Sequence, residues 1–473
     1  MSRLRHGGRG RRRVRLGAPD ASLTGFAGLV VLDELVGRLG VVAALDAGVG
    51  RIKTRRRGLT GGQLLVGVAS AQLTGAAWLS GLDRLRADAG VTLCEQAPVA
   101  ASSTARSLAR RIGEEQAVGV EAGLHAVYTG WLGRLAAQQR ADLVTRAPTI
   151  DLDATDIEVY GRTKQRVGWN YAGVRCGRVH LASWANAELP LAVDLIGGDE
   201  DVRPNAPGLL RRALAVLPAA VCARPRVRAD AGYFDAALAQ AAVDAACDFA
   251  VAAKRNPAAW RAYRQIPDDA WVDAIGMPGA QVAACAYAPA GWPAGTHTVV
   301  RRVRLDADDL SADPRSRRRR TIDKDQLALM EAGEVDHGYA VSFIVTNIPA
   351  NDSAIPGLEA WFRRRTSIED RIREAKLGAG LLHLPSADHA VNRAWTQAAV
   401  LAGALNVMLH ALTGPTHPVR HDGRVRITTL RAHLLAVPGR LIRHARGLTL
   451  RLPPNNTTLP AALARIRALP SPS

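Results

Sequence analysis

Lysine is nearly absent from this basic sequence. Only Lys53, Lys164, Lys254, Lys324 and Lys376 stand among 62 cationic residues, so a formal charge of +19 is carried almost wholly by arginine. A GC-rich coding sequence contributes to such a bias, and the charge alone decides little. Cysteine is equally sparse. Cys94, Cys176, Cys222, Cys247 and Cys285 are odd in number, scattered, and form no C-x-x-C pair, which excludes a disulfide scaffold and a cysteine zinc site and points to a reducing cytosol. Long apolar runs are missing too: the most apolar stretch, Ala398 to Leu412, falls short of the roughly 20 residues of a spanning helix. The first residues, MSRLRHGGRGRRRVRLG, are basic with no apolar segment behind them, unlike a secretory signal.

With 48% apolar residues in 473, the chain can build large cores, and its length suggests about three domains at roughly 150 residues each. The positive excess implies a polyanionic partner, nucleic acid or an anionic surface.

Residues 1–20 form a basic tail, expected to be disordered or to fold on a polyanion. Residues 21–147 carry helical spacing throughout. Within them SSTARSLARRIGEEQ reads as a short helix with a Ser/Thr cluster at its start and Arg106, Arg110 and Arg111 along it. That suits a helix-turn-helix-like DNA reader, or equally a helical bundle with a basic face. From Pro148 the texture changes. TIDLDATDIEVYG, RVHLASWAN and LPLAVDLIGG read as three successive strands, followed by alternating helices and strands to residue 254, the pattern of a mixed sheet covered by helices. Residues 255–350 return to short strands around a very basic stretch, Arg315 and Arg317 to Arg320, which is a phosphate clamp or a solvated loop. A helix is predicted from about Pro356 to Leu377 and an apolar one over 396–412, with 351–412 completing the core. Residues 413–473 read as a basic, mostly helical tail.

Carboxylates on apolar strands carry the chemistry. Asp153 lies in T-I-D-L-D-A-T and Asp230 in V-R-A-D-A-G, and a charge buried there is costly unless paired or bound to metal. Asp151 shares a strand face with Asp153, so either can serve as a ligand for a hard divalent ion. On the 356–377 helix, Phe362, Arg365, Glu369 and Lys376 fall within an arc of about 60° at roughly 100° per residue. An aromatic, a guanidinium, a carboxylate and an ammonium on one face do not make a core stripe, although an Arg365–Glu369 pair on a solvated helix is common.

Here the sequence resembles a family. W-F-R-R-R-T-S-I-E-D-R-I-R-E-A-K is similar to the Y-x-x-R-x-x-x-E-x-x-x-x-x-x-K signature of bacterial insertion-sequence DDE transposases of the cut-and-paste type. I-D-L-D-A-T and V-R-A-D-A-G-Y-F resemble the segments holding that family's two catalytic aspartates, in the same order. The resemblance covers roughly 148–412 and, weakly, the helical N-terminus. It implies an α/β fold: an RNase H-like mixed-sheet catalytic core (148–254 and 351–412) interrupted by a β-rich insert (255–350), with a helical N-terminal DNA-binding region and a helical C-terminal tail.

By the same resemblance Asp153, Asp230 and Glu369 are the catalytic, metal-holding triad. Asp153 is preferred to Asp151 because it directly precedes Ala154-Thr155. Arg365 and Lys376 contact phosphate near the cut, and Phe362 replaces the family's Tyr, so stacking remains where a hydroxyl is lost. Arg106, Arg110, Arg315 and Arg317 to Arg320 contact DNA backbone. The implied activity uses two Mg²⁺ or Mn²⁺ ions to cleave the terminal inverted repeats of an insertion sequence and join the freed 3′-OH ends to target DNA. The implied setting is a homodimer on double-stranded DNA in the bacterial cytoplasm, at the nucleoid and away from membranes. An RNase H-fold nuclease or resolvase without strand transfer, or an inactive domesticated DNA-binding protein, are the competing readings.

Overall fold

The computed structural model describes residues 14–54, 57–311, 313, 316, 319–349, 354–414 and 426–471. Most of the basic tail, together with Arg315, Arg317 and Arg318, lies outside them. The N-terminal part opens with the two-residue strand β1 (Leu23–Thr24). It continues through α1 (Leu29–Arg38), α2 (Val41–Val49), α3 (Gly61–Leu73), α4 (Ser80–Arg86), α5 (Ser102–Ala109), α6 (Glu114–Leu132) and α7 (Ala137–Thr145). Helix α3 starts on a capping box, in which Thr60 accepts from the Gln63 amide and Gln63 reaches back to Thr60. Helices α2 and α6 meet backbone to backbone at Gly48 and Gly119; a Cβ on Gly48 would sit 2.0 Å from the Gly119 carbonyl oxygen. The Ser/Thr cluster expected to cap α5 does not do so. Ala101 is the N-cap, and the Asp83 carboxylate accepts from the Ser102 amide at 2.9 Å instead.

The large sheet contains ten strands. Its first part comprises β2 (Thr149–Glu158), β3 (Gly168–Trp169), β4 (Arg175–Trp184), β5 (Leu189–Gly197), β6 (Arg226–Ala229) and β7 (Asp248–Ala252), with α8 (Ala206–Val216) and α9 (Ala236–Asp244) between strands. The order is β5-β4-β2-β6-β7. The first three are antiparallel neighbours, while β6 runs parallel to β2 and β7 parallel to β6. After α10 (Pro257–Tyr263) come β8 (Val272–Asp273), β9 (Ala280–Cys285), β10 (His297–Asp306), α11 (Lys324–Glu331) and β11 (His337–Thr346). These strands extend the same sheet: β11 pairs antiparallel with β7 through Ile344↔Ala252, and β10, β9 and β8 follow outward.

The helix expected over 356–377 is two helices. α12 (Ile355–Arg363) and α13 (Ser367–Gly378) are separated by a 3₁₀ turn at Arg364–Thr366. The apolar helix is longer than the sequence suggested, α14 (His389–Thr413), and starts where Asp388 accepts from the Ala390 amide. By length and composition it could cross a membrane, yet it is mostly buried within the fold, against α3 and β5. The C-terminal part is not simply helical either. After α15 (Ile427–Leu430) it forms the hairpin β12 (Gly439–His444) and β13 (Gly447–Arg451), turning at Gly447 (φ +153°), before α16 (Thr458–Arg467). β12 pairs with β1, so the two ends of the chain close on each other. One hydrophobic core runs from α1 through the sheet to α16.

At the sheet's centre a buried ion pair joins three elements. Arg228 of β6 grips Asp151 of β2 with Nε–Oδ1 at 2.7 Å and Nη2–Oδ2 at 2.9 Å, both side chains essentially solvent-free. Its remaining Nη1 donates to the Trp361 carbonyl of α12, its guanidinium lies 5.1 Å from the Trp361 ring centre, and Trp361 Nε1 donates to Thr149 at 3.1 Å. Breaking a buried pair from one side leaves an uncompensated charge, so Arg228→Met should lower stability by about 3–5 kcal/mol. Urea unfolding at pH 7 measures this. The double change Asp151→Leu/Arg228→Met should recover much of the loss, and a cost below about 1 kcal/mol for the single change would contradict this role.

Candidate active site

Register places the acidic residues. Asp153 pairs across the ladder with Leu181 of β4, so the two share a sheet face. Leu181 packs against Ile368 and Ile372 of α13 and Val400 of α14, so Asp153 lies on the face that α13 covers. Asp151, two residues earlier, is on that face too, and Ser367 at the start of α13 donates to it at 3.3 Å. The two aspartates differ in their surroundings. Asp151 is held by Arg228 and Ser367, whereas the Asp153 carboxylate lies 3.8 Å from Arg365 on the 3₁₀ turn and within reach of the charge of Glu369 on α13.

Asp230 follows β6 immediately. Leu152 and Ala229 are partners in the parallel ladder, so Asp153 and Asp230 stand side by side on adjacent strands, about 5 Å apart in the ladder direction. Asp230 is the N-cap of a 3₁₀ turn over Ala231–Tyr233, where its Oδ1 accepts from the Gly232 amide at 2.9 Å. Glu369 lies in the first turn of α13 and is half exposed. Arg365, on the 3₁₀ turn, stands between the carboxylates: Nη1 is 3.8 Å from Asp153 Oδ2 and Nη2 is 3.6 Å from Glu369 Oε1. The side chain is largely buried, and its Nη1 has no hydrogen-bond acceptor.

Burial dominates the electrostatics. It pushes Asp153 up to about 6; Arg365 pulls the other way, and the charges of Asp230 and Glu369 add to the rise. Tyr233, buried beside the same aspartates, has its phenol pushed well above the usual range by burial. On the other sheet face, burial drives His180 down to about 3. Neither ring nitrogen has a partner, and the ring lies 5.4 Å from that of Tyr233. Sequence patterning gave no sign of either residue, because each owes its surroundings to strands distant in sequence.

The remaining expected contacts are spread out. Lys376 donates to the main-chain carbonyl of Asp156 at 2.9 Å and ties α13 to the far half of β2. Phe362 packs in a second apolar cluster with Ile344, Leu358 and Met277. Arg319 pairs with Glu331 near β11, and Arg320 is exposed beside it. Arg106 is exposed on α5, while Arg110 pairs with Asp388 at 2.8 Å. A contact that patterning missed is Glu359, fully buried on α12, which accepts from Arg301 of β10 at 2.6 Å and from Arg363 at 3.2 Å.

Among the described residues, no three carboxylate, imidazole or thiol groups are gathered closely enough to form a ready-made metal cage. The chemistry of the donors nevertheless fits a hard divalent ion. Asp153 is buried and its proton is held by the charges of Asp230 and Glu369, two further hard oxygen donors, while the Arg365 guanidinium stands between Asp153 and Glu369.

Against known proteins, the chain matches the family described as Transposase DDE domain group 1 over residues 7–471. The protein therefore belongs to that family and is a transposase. No curated protein matches it. Among solved structures it is similar to one titled as the cryo-EM structure of the piggyBac transposase synaptic complex with hairpin DNA. The two share 9% identity over 86% of this chain and 79% of that one, with a TM-score of 0.38.

Asp153 gives the site a thermodynamic signature. Its proton is held more tightly in the folded chain (about 6) than unfolded (3.8), so the stability this adds is present below about pH 4 and is lost as pH rises towards 6. Asp153→Asn should therefore raise the thermal midpoint at pH 7.5 in chelator-treated buffer and flatten the stability–pH curve between about 4 and 6. A midpoint lowered at every pH would contradict the assignment.

Proposed function

We propose that the chain cleaves the terminal inverted repeats of an insertion sequence and transfers the resulting 3′-OH ends into target DNA, with Asp153, Asp230 and Glu369 as its catalytic carboxylates. The observation that carries this reading is their placement: Asp153 on β2 and Asp230 directly after the parallel neighbour β6, with Arg365 between Asp153 and Glu369. The strand order β5-β4-β2-β6-β7, antiparallel through β5, β4 and β2 and parallel through β2, β6 and β7, supports an RNase H-like core. On this reading β8 to β11 are the family's insert, built onto the edge of that core.

The three carboxylates would hold two divalent ions, Mg²⁺ or Mn²⁺, which when bound neutralise charge on the reacting phosphate and acidify water. The chain's own residues do the rest. Arg365, freed from the carboxylates, turns its guanidinium to a phosphate oxygen and stabilises the extra negative charge of the pentacovalent transition state. Asp151, Arg228 and Trp361 keep β2, β6 and α12 in fixed relation, so the carboxylates need not reorganise during the reaction. Lys376 holds the second half of β2 against α13. Exposed arginines, Arg106, Arg320 and Arg364 among them, carry DNA backbone without reading bases. The working form is a dimer that pairs two element ends on the nucleoid of a bacterial cell.

A gel assay with Mg²⁺ and DNA spanning the gene's flanking repeats tests this. The wild type should nick the ends and join them to a second DNA. Asp153→Asn, Asp230→Asn and Glu369→Gln should each reduce cleavage at least about a hundredfold, while end binding in a mobility-shift assay changes by less than about threefold, as expected for groups acting mainly in the transition state. Cleavage without joining would favour a nuclease or resolvase, and full cleavage by Glu369→Gln would sink the triad.

A further inference from the structure

The connection from β2 to β4 is an arm with an unusual surface. Aromatic residues make up 4% of the sequence, and four of those in the described residues are strongly exposed: Trp78, Tyr160, Trp169 and Tyr171. Three of the four lie within twelve residues of one another on this arm, at 84%, 65% and 99% exposure. Between Val159 and Arg175 there is no acidic residue, while Arg162, Lys164, Arg166 and Arg175 are interleaved with the rings.

The arm is anchored at many points. Asn170 accepts from the amides of Ala172 at 3.0 Å and Val174 at 2.9 Å, closing the turn that displays Tyr171, with Gly173 at φ +73°. Its side-chain amide donates to Asp156 at 2.7 Å, and Arg178 holds the same carboxylate at 2.7 Å. On the other limb, Lys164 donates to the Ser386 carbonyl at 3.1 Å, and the Gln165 amide to the Ala387 carbonyl at 2.9 Å. Arg175 closes the base of the arm by donating to the Arg162 carbonyl at 3.0 Å. A turn that had only to connect two strands would carry polar residues. This one holds three rings out in water on a braced backbone.

We propose that this arm is a base-stacking platform for unpaired DNA, with Tyr160, Trp169 and Tyr171 stacking on bases and Arg162 contacting phosphate. Every base offers a π-face, so rings set among cations recognise single strands without reading sequence. Acidic groups reach the arm from outside it, Glu158 at Tyr160 and Glu114 and Glu200 at Arg166, which leaves Arg162 as the cation assigned to phosphate. The inference rests on the transposase reading above, in which cleavage frees a 3′-OH end, and it adds that unpaired bases next to such an end stack on this arm. The arm grows from the strand that carries Asp153. At about 3.3 Å per residue, Tyr160 is about 23 Å along from it, which places the stacked bases several nucleotides from the scissile phosphate.

The test uses a 20-base-pair duplex with a ten-nucleotide dT tail, one position of which is 2-aminopurine, against the same duplex blunt-ended. The wild type should bind the tailed DNA about tenfold more tightly and quench 2-aminopurine as it stacks. Tyr160→Ala/Trp169→Ala/Tyr171→Ala should bind both DNAs alike, without quenching and with an unchanged slope of log K on log salt. Arg162→Gln should reduce that slope by about 1. The residues replaced are exposed, and circular dichroism checks that the fold is kept. Wild type that binds DNA but shows no tail preference, or a triple variant that keeps it, overturns this inference alone. So does a triple variant that loses only self-association in sedimentation. Wild type that binds no DNA overturns the transposase reading and this inference together.

Discussion

The grip of Arg228 on Asp151 is the constraint on which the site depends. Two buried charges cannot stay in the centre of a sheet unless each satisfies the other, and here both carboxylate oxygens face a guanidinium nitrogen. The same guanidinium reaches the Trp361 carbonyl, and Ser367 adds a hydrogen bond to Asp151 from the start of α13. One ion pair thus fixes β2 against β6 and both against the helix pair. Asp153 lies two residues beyond Asp151, and Asp230 two beyond Arg228. Because β2 and β6 run in parallel and in register, welding the first pair sets the second pair side by side.

The acidic centre is balanced by what surrounds it. Asp153 is buried beside two other carboxylates, an arrangement that costs stability at neutral pH. Arg365 sits where it relieves that cost on two of the three. Sites kept apart from their ideal charge balance are a recurring property of catalytic centres, where strain in the free protein is relieved on binding. The 3₁₀ turn that carries Arg365 matters here: a continuous helix would present the arginine one turn from Glu369, whereas the break also lets it lean over β2.

Much of the site was legible locally. Asp153, Asp230 and Glu369 stand in short motifs whose residue types reveal themselves without long-range information. A carboxylate inside an apolar strand is conspicuous, and a charged face on a helix is conspicuous too. The choice between Asp151 and Asp153 was not legible from the residues, since strand periodicity puts both on one face; it turns on Arg228, 77 positions away from Asp151. The break at Arg364–Thr366 escaped because nothing in W-F-R-R-R-T-S-I-E forbids a helix. Residues on both sides of it, Trp361 and Ser367, contact the Arg228–Asp151 pair. The strands β9 to β11 were visible as strands, but their union with β7 depends on pairing across about ninety residues. The hairpin at 439–451 was hidden in a basic tail with no alternating pattern strong enough to outweigh its helical neighbours.

The sequence by itself determined the class of most elements, the presence of carboxylates on apolar strands and the excess of positive charge, because these follow from residue chemistry and short-range periodicity. The tertiary structure alone decided which aspartate is neutralised by Arg228, where Arg365 stands, and that the three aromatic side chains of the 160–171 segment stay exposed on a braced arm. Those outcomes depend on strand register and on buried partners that are remote in the chain. A one-residue change in register would exchange the faces of β2 and leave every local motif unchanged.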